Sequence, residues 1–82
     1  MSTVTVRYLA AALAAAGASE ETVPGAGCLD DLVEGLAGRH GDRLASVLAV
    51  ASFLVDGTAW HDRRAPLPAG VTIDVLPPFA GG

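Results

Sequence analysis

The most chemically distinctive residues of this chain are its last ones. Val75-Leu76-Pro77-Pro78-Phe79-Ala80-Gly81-Gly82 runs from an alternating apolar segment straight to the final carboxylate. Two prolines stiffen the exit and project the end away from the body. Gly81 and Gly82 have no side chains, so the end can pass through a narrow channel and its last carbonyl stays sterically open. At neutral pH that carboxylate, with an ordinary pKa of roughly 3.3–3.7, is an anion and a very poor electrophile. Acyl chemistry at Gly82 therefore needs prior activation. Taken alone, a glycine pair at a terminus also describes an ordinary frayed end.

The other reactive side chains form no comparable pattern. Cys28 is the only cysteine, which excludes an intramolecular disulfide and any multi-cysteine metal site. It reads as a small filler where a helix begins; the alternative is a thiol whose pKa is lowered at a helix N-terminus. His40 is expected to meet the last carbonyls of its own helix. His61 and Asp62 are adjacent but lack a third ligand or a nucleophile at a telling spacing, so no metal site is assigned. Arg63-Arg64 reads as a solvated loop pair that could touch the acidic rim of a partner. No Ser/His/Asp arrangement and no phosphate-cradling glycine motif is present. Catalysis by this chain alone is not expected.

The elements that must position the end follow from periodicity. Thr3–Leu9 alternates Val4, Val6 and Tyr8 against Thr3, Thr5 and Arg7, as a half-buried strand does. Ala10–Ala16 is an alanine-rich helical stretch stopped by Gly17. Ser19–Val23 reads as an edge strand ended by Pro24. Leu29, Leu32, Val33 and Leu36 fall at i, i+3, i+4 and i+7, one apolar helix face. Asp30 and Asp31 lie in its first turn, Arg39 and His40 in its last, and Gly41 lies beyond. Leu44–Ala51 fits a helical stripe, while Val50–Val55 fits a strand. The reading is a short helical turn and then a strand from about Ser52 to Val55. Asp56-Gly57 is a hairpin signal, because a type I′ turn needs φ > 0 at both central residues, and Thr58–Trp60 is the returning strand. Val71, Ile73 and Val75 make a last strand that Pro77-Pro78 terminates.

Composition narrows the class. The 82 residues make one domain, 51% hydrophobic and only 17% charged, with five arginines and no lysine. Sixteen alanines leave 26 larger hydrophobic residues, nearly all of which so short a chain must bury. A net charge of −4 argues against nucleic acid and for a partner with a basic surface. The longest apolar stretch, Leu44–Val55, has 12 residues, short of the roughly 20 that cross a bilayer. Arg7, Tyr8–Ala16 and Ala16-Gly17-Ala18 loosely imitate a secretory leader, but the alternation of residues 3–8 favours a strand. A lone thiol suits a reducing cytoplasm, where the protein is placed.

The order strand, short helix, strand, main helix, strand pair, strand is an α+β layer arrangement. It predicts a β-grasp: a mixed sheet of four to five strands with one main helix across one face. The first and last strands, the most hydrophobic, pair at its centre. The domain spans 1–78, with 79–82 a flexible Gly-Gly tail.

The sequence resembles the ubiquitin-like sulfur carrier proteins, and among them the small subunit of molybdopterin synthase. The resemblance runs along the whole chain: Val4-Thr5-Val6-Arg7-Tyr8-Leu9-Ala10, the leucine-rich helix from Leu29, Leu54-Val55-Asp56-Gly57, Leu67-Pro68-Ala69-Gly70 and the closing Pro77-Pro78-Phe79-Ala80-Gly81-Gly82. It departs from the family at Asp56, usually asparagine, and at Val71-Thr72, usually Asp-Glu. The resemblance implies that an ATP-dependent adenylating enzyme of the ubiquitin-activating type, using ATP and Mg, forms an acyl-adenylate at Gly82. Sulfur from a persulfide donor then replaces AMP and leaves a thiocarboxylate. It further implies that the tail enters the large catalytic subunit of molybdopterin synthase and delivers sulfur to a pyranopterin precursor. This chain would be a sulfur-donating, non-catalytic subunit with no bound cofactor or metal, acting on neither nucleic acid nor membrane. Leu9, Leu76, Pro77, Pro78, Phe79 and Ala80 are the expected partner contacts. Two other destinations remain open: the same chemistry for thiamine or cysteine synthesis, and a protein modifier joined to lysines through Gly82.

Overall fold

The computed structural model describes residues 3–78. In β1 (Thr3–Tyr8), Val4, Val6 and Tyr8 are buried while Thr3 and Arg7 are exposed, so the period-2 pattern sets which face turns inward. A tight turn leads into α1 (Ala11–Ala16), which ends where Gly17 takes φ 76° and its N–H donates to the Leu13 carbonyl at 2.9 Å. β2 (Glu20–Pro24) returns antiparallel to β1, pairing Val4 with Val23 and Val6 with Glu21. Pro24 closes it at the sheet edge, where a missing donor is tolerated.

α2 (Leu29–His40) buries Leu29, Leu32 and Leu36, the stripe read from the sequence, with Val33 packed beside them. Its acidic first turn and basic last turn complement the helix dipole. α3 (Asp42–Val50) follows after Gly41, whose φ of 92° turns the chain between the two helices. This nine-residue helix corrects the expected single turn. Burial decided the ambiguity: Leu44 and Leu48 are both fully buried while Ser46 between them is exposed, whereas a strand would turn all three to one face. The sheet is thus covered by two packed helices, and α1 also contacts α3.

β3 (Ser52–Val55) and β4 (Thr58–Ala59) form a hairpin around Asp56 at φ 47° and Gly57 at φ 83°, both positive as the type I′ turn demands. β5 (Thr72–Leu76) enters the middle of the sheet, giving the order β2-β1-β5-β3-β4. It runs parallel to β1, with Val6 opposite Ile73 and Tyr8 opposite Val75, and antiparallel to β3. The expected central pairing of first and last strands is therefore present. Val6, Ile73, Val75, Leu29, Leu36, Leu44 and Leu48 form the fully buried heart of the core. Each such side chain contributes about 1.5–3 kcal/mol relative to exposure. No helix of the described residues is long and apolar enough to cross a membrane.

Candidate functional site

The element that leads to the C-terminus is the central strand of the sheet. β5 is hydrogen-bonded along both sides, and its start is pinned further. The Thr5 N–H donates to the Val71 carbonyl at 3.1 Å, and the Thr72 N–H donates to Asp56 Oδ1 at 2.8 Å. The strand ends at Leu76, and Pro77-Pro78 follow without a backbone donor to offer a ladder. Pro77 is half-buried and Pro78 exposed. A rigid base is thus built directly under the chemistry expected at the terminus. Phe79, Ala80, Gly81 and Gly82, read above as contact and reacting residues, lie outside the described residues.

The face of the sheet away from the helices surrounds that base. Thr72, Asp74 and Leu76 alternate with the buried Ile73 and Val75, which puts Leu76 on the open face, as its phase in the sequence requires. Tyr8 is opposite Val75, so Leu9, 38% exposed, falls at the register position beside Leu76. The structure therefore brings these two expected contacts to the neighbouring ends of β1 and β5, Leu9 just past the last residue of β1. Leu54, which the sequence reading used only as part of the hairpin, joins them. It sits opposite Asp74, while Ser52 sits opposite Leu76, so the two leucines are diagonal neighbours on one face. Its phase between the buried Phe53 and Val55 was the available signal. In the same row as Leu54, Arg7 Nε lies 3.0 Å from Asp74 Oδ1, a cross-strand ion pair with the arginine half in solvent.

Two of the remaining candidates, His40 and Arg63, make structural contacts. His40 does not reach its helix carbonyls: its Nε2 meets Glu21 Oε2 at 2.8 Å, and the Gly41 N–H satisfies Ala37 instead. Glu21 projects from β2 toward α2, so the nearest unsatisfied acceptor belongs to the neighbouring strand and not to the helix end. Arg39 joins the same carboxylate at 3.5 Å, and the Tyr8 ring stands edge-on to His40 at 6.0 Å. The Tyr8 hydroxyl is held well above its ordinary ionisation range, chiefly by burial and then by the Glu21 carboxylate. This cluster ties the sheet edge to the end of α2.

Arg63 is likewise not a free loop cation. Its Nε lies 3.1 Å from Asp30 Oδ1, its guanidinium covers the Phe53 ring at 5.2 Å, and its carbonyl accepts from the Asp30 N–H at 3.0 Å. These contacts seat the 61–66 loop on the N-terminus of α2. Arg64 remains exposed. His61 and Asp62 are exposed, and Asp62 Oδ1 accepts from the Arg64 N–H at 3.0 Å as a local turn. Cys28 is half-buried at the N-cap of α2 and gives no side-chain cap. Among the described residues, no three His, Cys, Asp or Glu side chains come together to hold a metal ion.

No protein-family model matches the sequence, and no curated protein matches it. Solved structures do. A Pyrococcus furiosus protein assigned as subunit 1 of molybdopterin converting factor superposes with a TM-score of 0.80 at 25% identity, over 96% of this chain and 100% of that one. The fold is the ubiquitin-like β-grasp. Small archaeal modifier protein 1 from Methanosarcina acetivorans shares this β-grasp with a TM-score of 0.82 at 22% identity, over 100% of this chain and 98% of its own. A third neighbour comes from a complex of subunits 1 and 2 of the molybdopterin-converting factor of Helicobacter pylori. Its TM-score is 0.68 at 22% identity, over 98% and 99% of the two chains. The resemblance read from the sequence thus meets β-grasp proteins of both kinds, a molybdopterin converting factor subunit and a modifier.

Proposed function

We propose that this chain is a sulfur carrier whose Gly82 carboxylate is adenylated and converted to a thiocarboxylate, serving as the small subunit of a molybdopterin synthase. The observation that carries the reading is the continuity of β5 with the closing motif. The central strand of a β-grasp sheet runs directly into Pro77-Pro78 and the four residues ending in Gly-Gly. The activation step joins the carboxylate oxygen to the α-phosphorus of ATP and releases pyrophosphate, with Mg held by the activating enzyme. A persulfide sulfur then attacks the acyl carbon and displaces AMP. A thiol reductant cleaves the resulting acyl disulfide and leaves the thiocarboxylate on Gly82.

In this reading Gly81 and Gly82 supply slenderness, and the thiocarboxylate sulfur is the nucleophile delivered to a pyranopterin precursor. The chain contributes no catalytic side chain. Leu9, Leu54 and Leu76 form the docking face, extended by Pro77, Pro78, Phe79 and Ala80, for the large subunit and the adenylating enzyme in turn. The Helicobacter pylori complex of subunits 1 and 2 supports a large-subunit partner, and the reducing setting the chemistry needs supports the cytoplasm. Deleting Gly82 tests the assignment: the truncated chain stays folded and no longer acquires sulfur. A truncated chain that is still thiocarboxylated overturns it.

A second reading, a modifier conjugated through Gly82, is favoured by the likeness to small archaeal modifier protein 1. The two share the adenylate and part at the attacking group, a persulfide in one and a lysine amine in the other. This chain has no lysine of its own, so conjugates would contain other proteins and no side-chain-linked chains of itself.

A further inference from the structure

On the helix side of the tail's base lies a groove of about 220 Å³ lined by Ala11, Ser46, Val47, Val50, Pro77 and Pro78. Its walls are apolar apart from Ser46. Val50 is 64% exposed, the most exposed large hydrophobic side chain among the described residues. A cavity of roughly 150 Å³ lined by aliphatic side chains is known to accept a benzene ring, so the volume suits one aromatic side chain. Pro77 and Pro78 form one wall, which puts the Cα of the next residue about 3.8 Å beyond the groove's own lining. That residue is Phe79. The residues after it are alanine and glycine, with no ring or branched chain to offer. At the other terminus, Met1 precedes Thr3, at the start of β1, and β1 runs parallel to β5. It therefore begins at the opposite end of the sheet, roughly six residues or 20 Å away.

We propose that in the free chain the Phe79 side chain seats in this groove, against Val47 and Val50, and anchors the base of the tail to α3. The consequence for sulfur transfer rests on the function proposed above. With Phe79 seated, only Ala80, Gly81 and Gly82 project, a reach of about 10 Å at full extension. A partner that needs a longer tail, or the Phe79 ring itself, must first lift it out.

The test is made on the isolated, isotope-labelled chain by nuclear magnetic resonance and needs no activating enzyme, so it stands or falls separately from the carrier chemistry. The chain has two phenylalanines, and Phe53 is buried beneath Arg63, so the Phe79 ring is readily assigned. The expected result is a set of Overhauser contacts from the Phe79 ring to the Val47 and Val50 methyls, with upfield-shifted Val50 methyls. Phe79→Ala removes both effects, and Val50→Glu removes the contacts to Val47 while the remaining spectrum stays folded. No such contacts in the folded wild-type chain overturn the proposal. Contacts that appear between labelled and unlabelled molecules in a mixed sample also overturn it, in favour of a second copy as the occupant.

Discussion

Asp56 holds Thr72 twice: its carboxylate Oδ1 accepts the Thr72 N–H at 2.8 Å, and its own N–H donates to the Thr72 carbonyl at 2.8 Å. The hairpin turn is thereby fastened to the first residue of the strand that carries the tail. Both residues sit where the sequence departs from its family resemblance, and they depart together in space. Asp56→Asn keeps an acceptor oxygen and tolerates φ 47°, so it should change stability by less than about 0.5 kcal/mol. Asp56→Ala loses the acceptor and suits the left-handed backbone poorly, at a cost of about 1–2 kcal/mol. Urea unfolding of the two variants checks this; equal stabilities would contradict the double hold.

Tyr8 is the chain's single tyrosine, so its ionisation can be followed by ultraviolet titration without interference from another phenol. Its hydroxyl and Glu21 Oε1 are both buried without a well-formed hydrogen bond. Burial first, and the neighbouring carboxylate second, hold the phenol above its ordinary value of about 10. The neutral form is therefore favoured by folding. The stability this provides is complete below about pH 10 and is lost as pH rises toward the folded-state value. Phenolate should appear only above pH 10, together with loss of near-ultraviolet dichroism. Tyr8→Phe should push alkaline unfolding to higher pH. Phenolate formed at its ordinary pH in a folded chain would refute the account.

Ala10 carries φ 50° and ψ −124°, where an L side chain is strained by about 1–3 kcal/mol. The Ala12 N–H donates to the Leu9 carbonyl at 3.0 Å across it, the pattern of a type II′ turn whose first central residue is best as glycine. Ala10→Gly should raise stability by about 1 kcal/mol, after the entropy that glycine adds to the unfolded chain. A measured loss would show that the turn is held by something other than backbone conformation.

The fold was largely legible because each element announces itself locally. The alternation in β1 and β5, the stripe from Leu29 to Leu36 and the Asp56-Gly57 turn each fix a face or a reversal within a few residues. What was not legible depends on partners distant in sequence. His40 meets Glu21 nineteen residues away, and Arg63 meets Asp30 thirty-three away, so neither pairing leaves a local trace. α3 was blurred because Val47, Leu48, Val50 and Ala51 satisfy helix and strand periods alike. On the open face proposed for docking, Leu76 was readable from its phase after Val75. Leu54 needed the β3–β5 register to place it beside Leu76.

That register makes the docking face testable apart from the fold. Leu76 is partly buried on the open face and stands outside the core cluster, so Leu76→Asp should leave the melting temperature within a few degrees. It places a carboxylate in an apolar contact and should weaken association with the large subunit at least about tenfold, equivalent to about 1.4 kcal/mol. Phe79→Asp should act in the same direction. Titration calorimetry measures both. Unchanged affinity in Leu76→Asp would remove the open face from the interface.

The central claim concerns one atom at the end of β5's extension, and intact mass spectrometry reads it directly. The chain is incubated with ATP, a ubiquitin-activating-type adenylating enzyme, a persulfide donor and a thiol reductant. The account predicts a gain of about 16 Da, oxygen replaced by sulfur on the activated acyl carbon, confined to the fragment ending in Gly82. An unchanged mass with a competent enzyme, or covalent attachment to other proteins in place of the 16 Da gain, would contradict it.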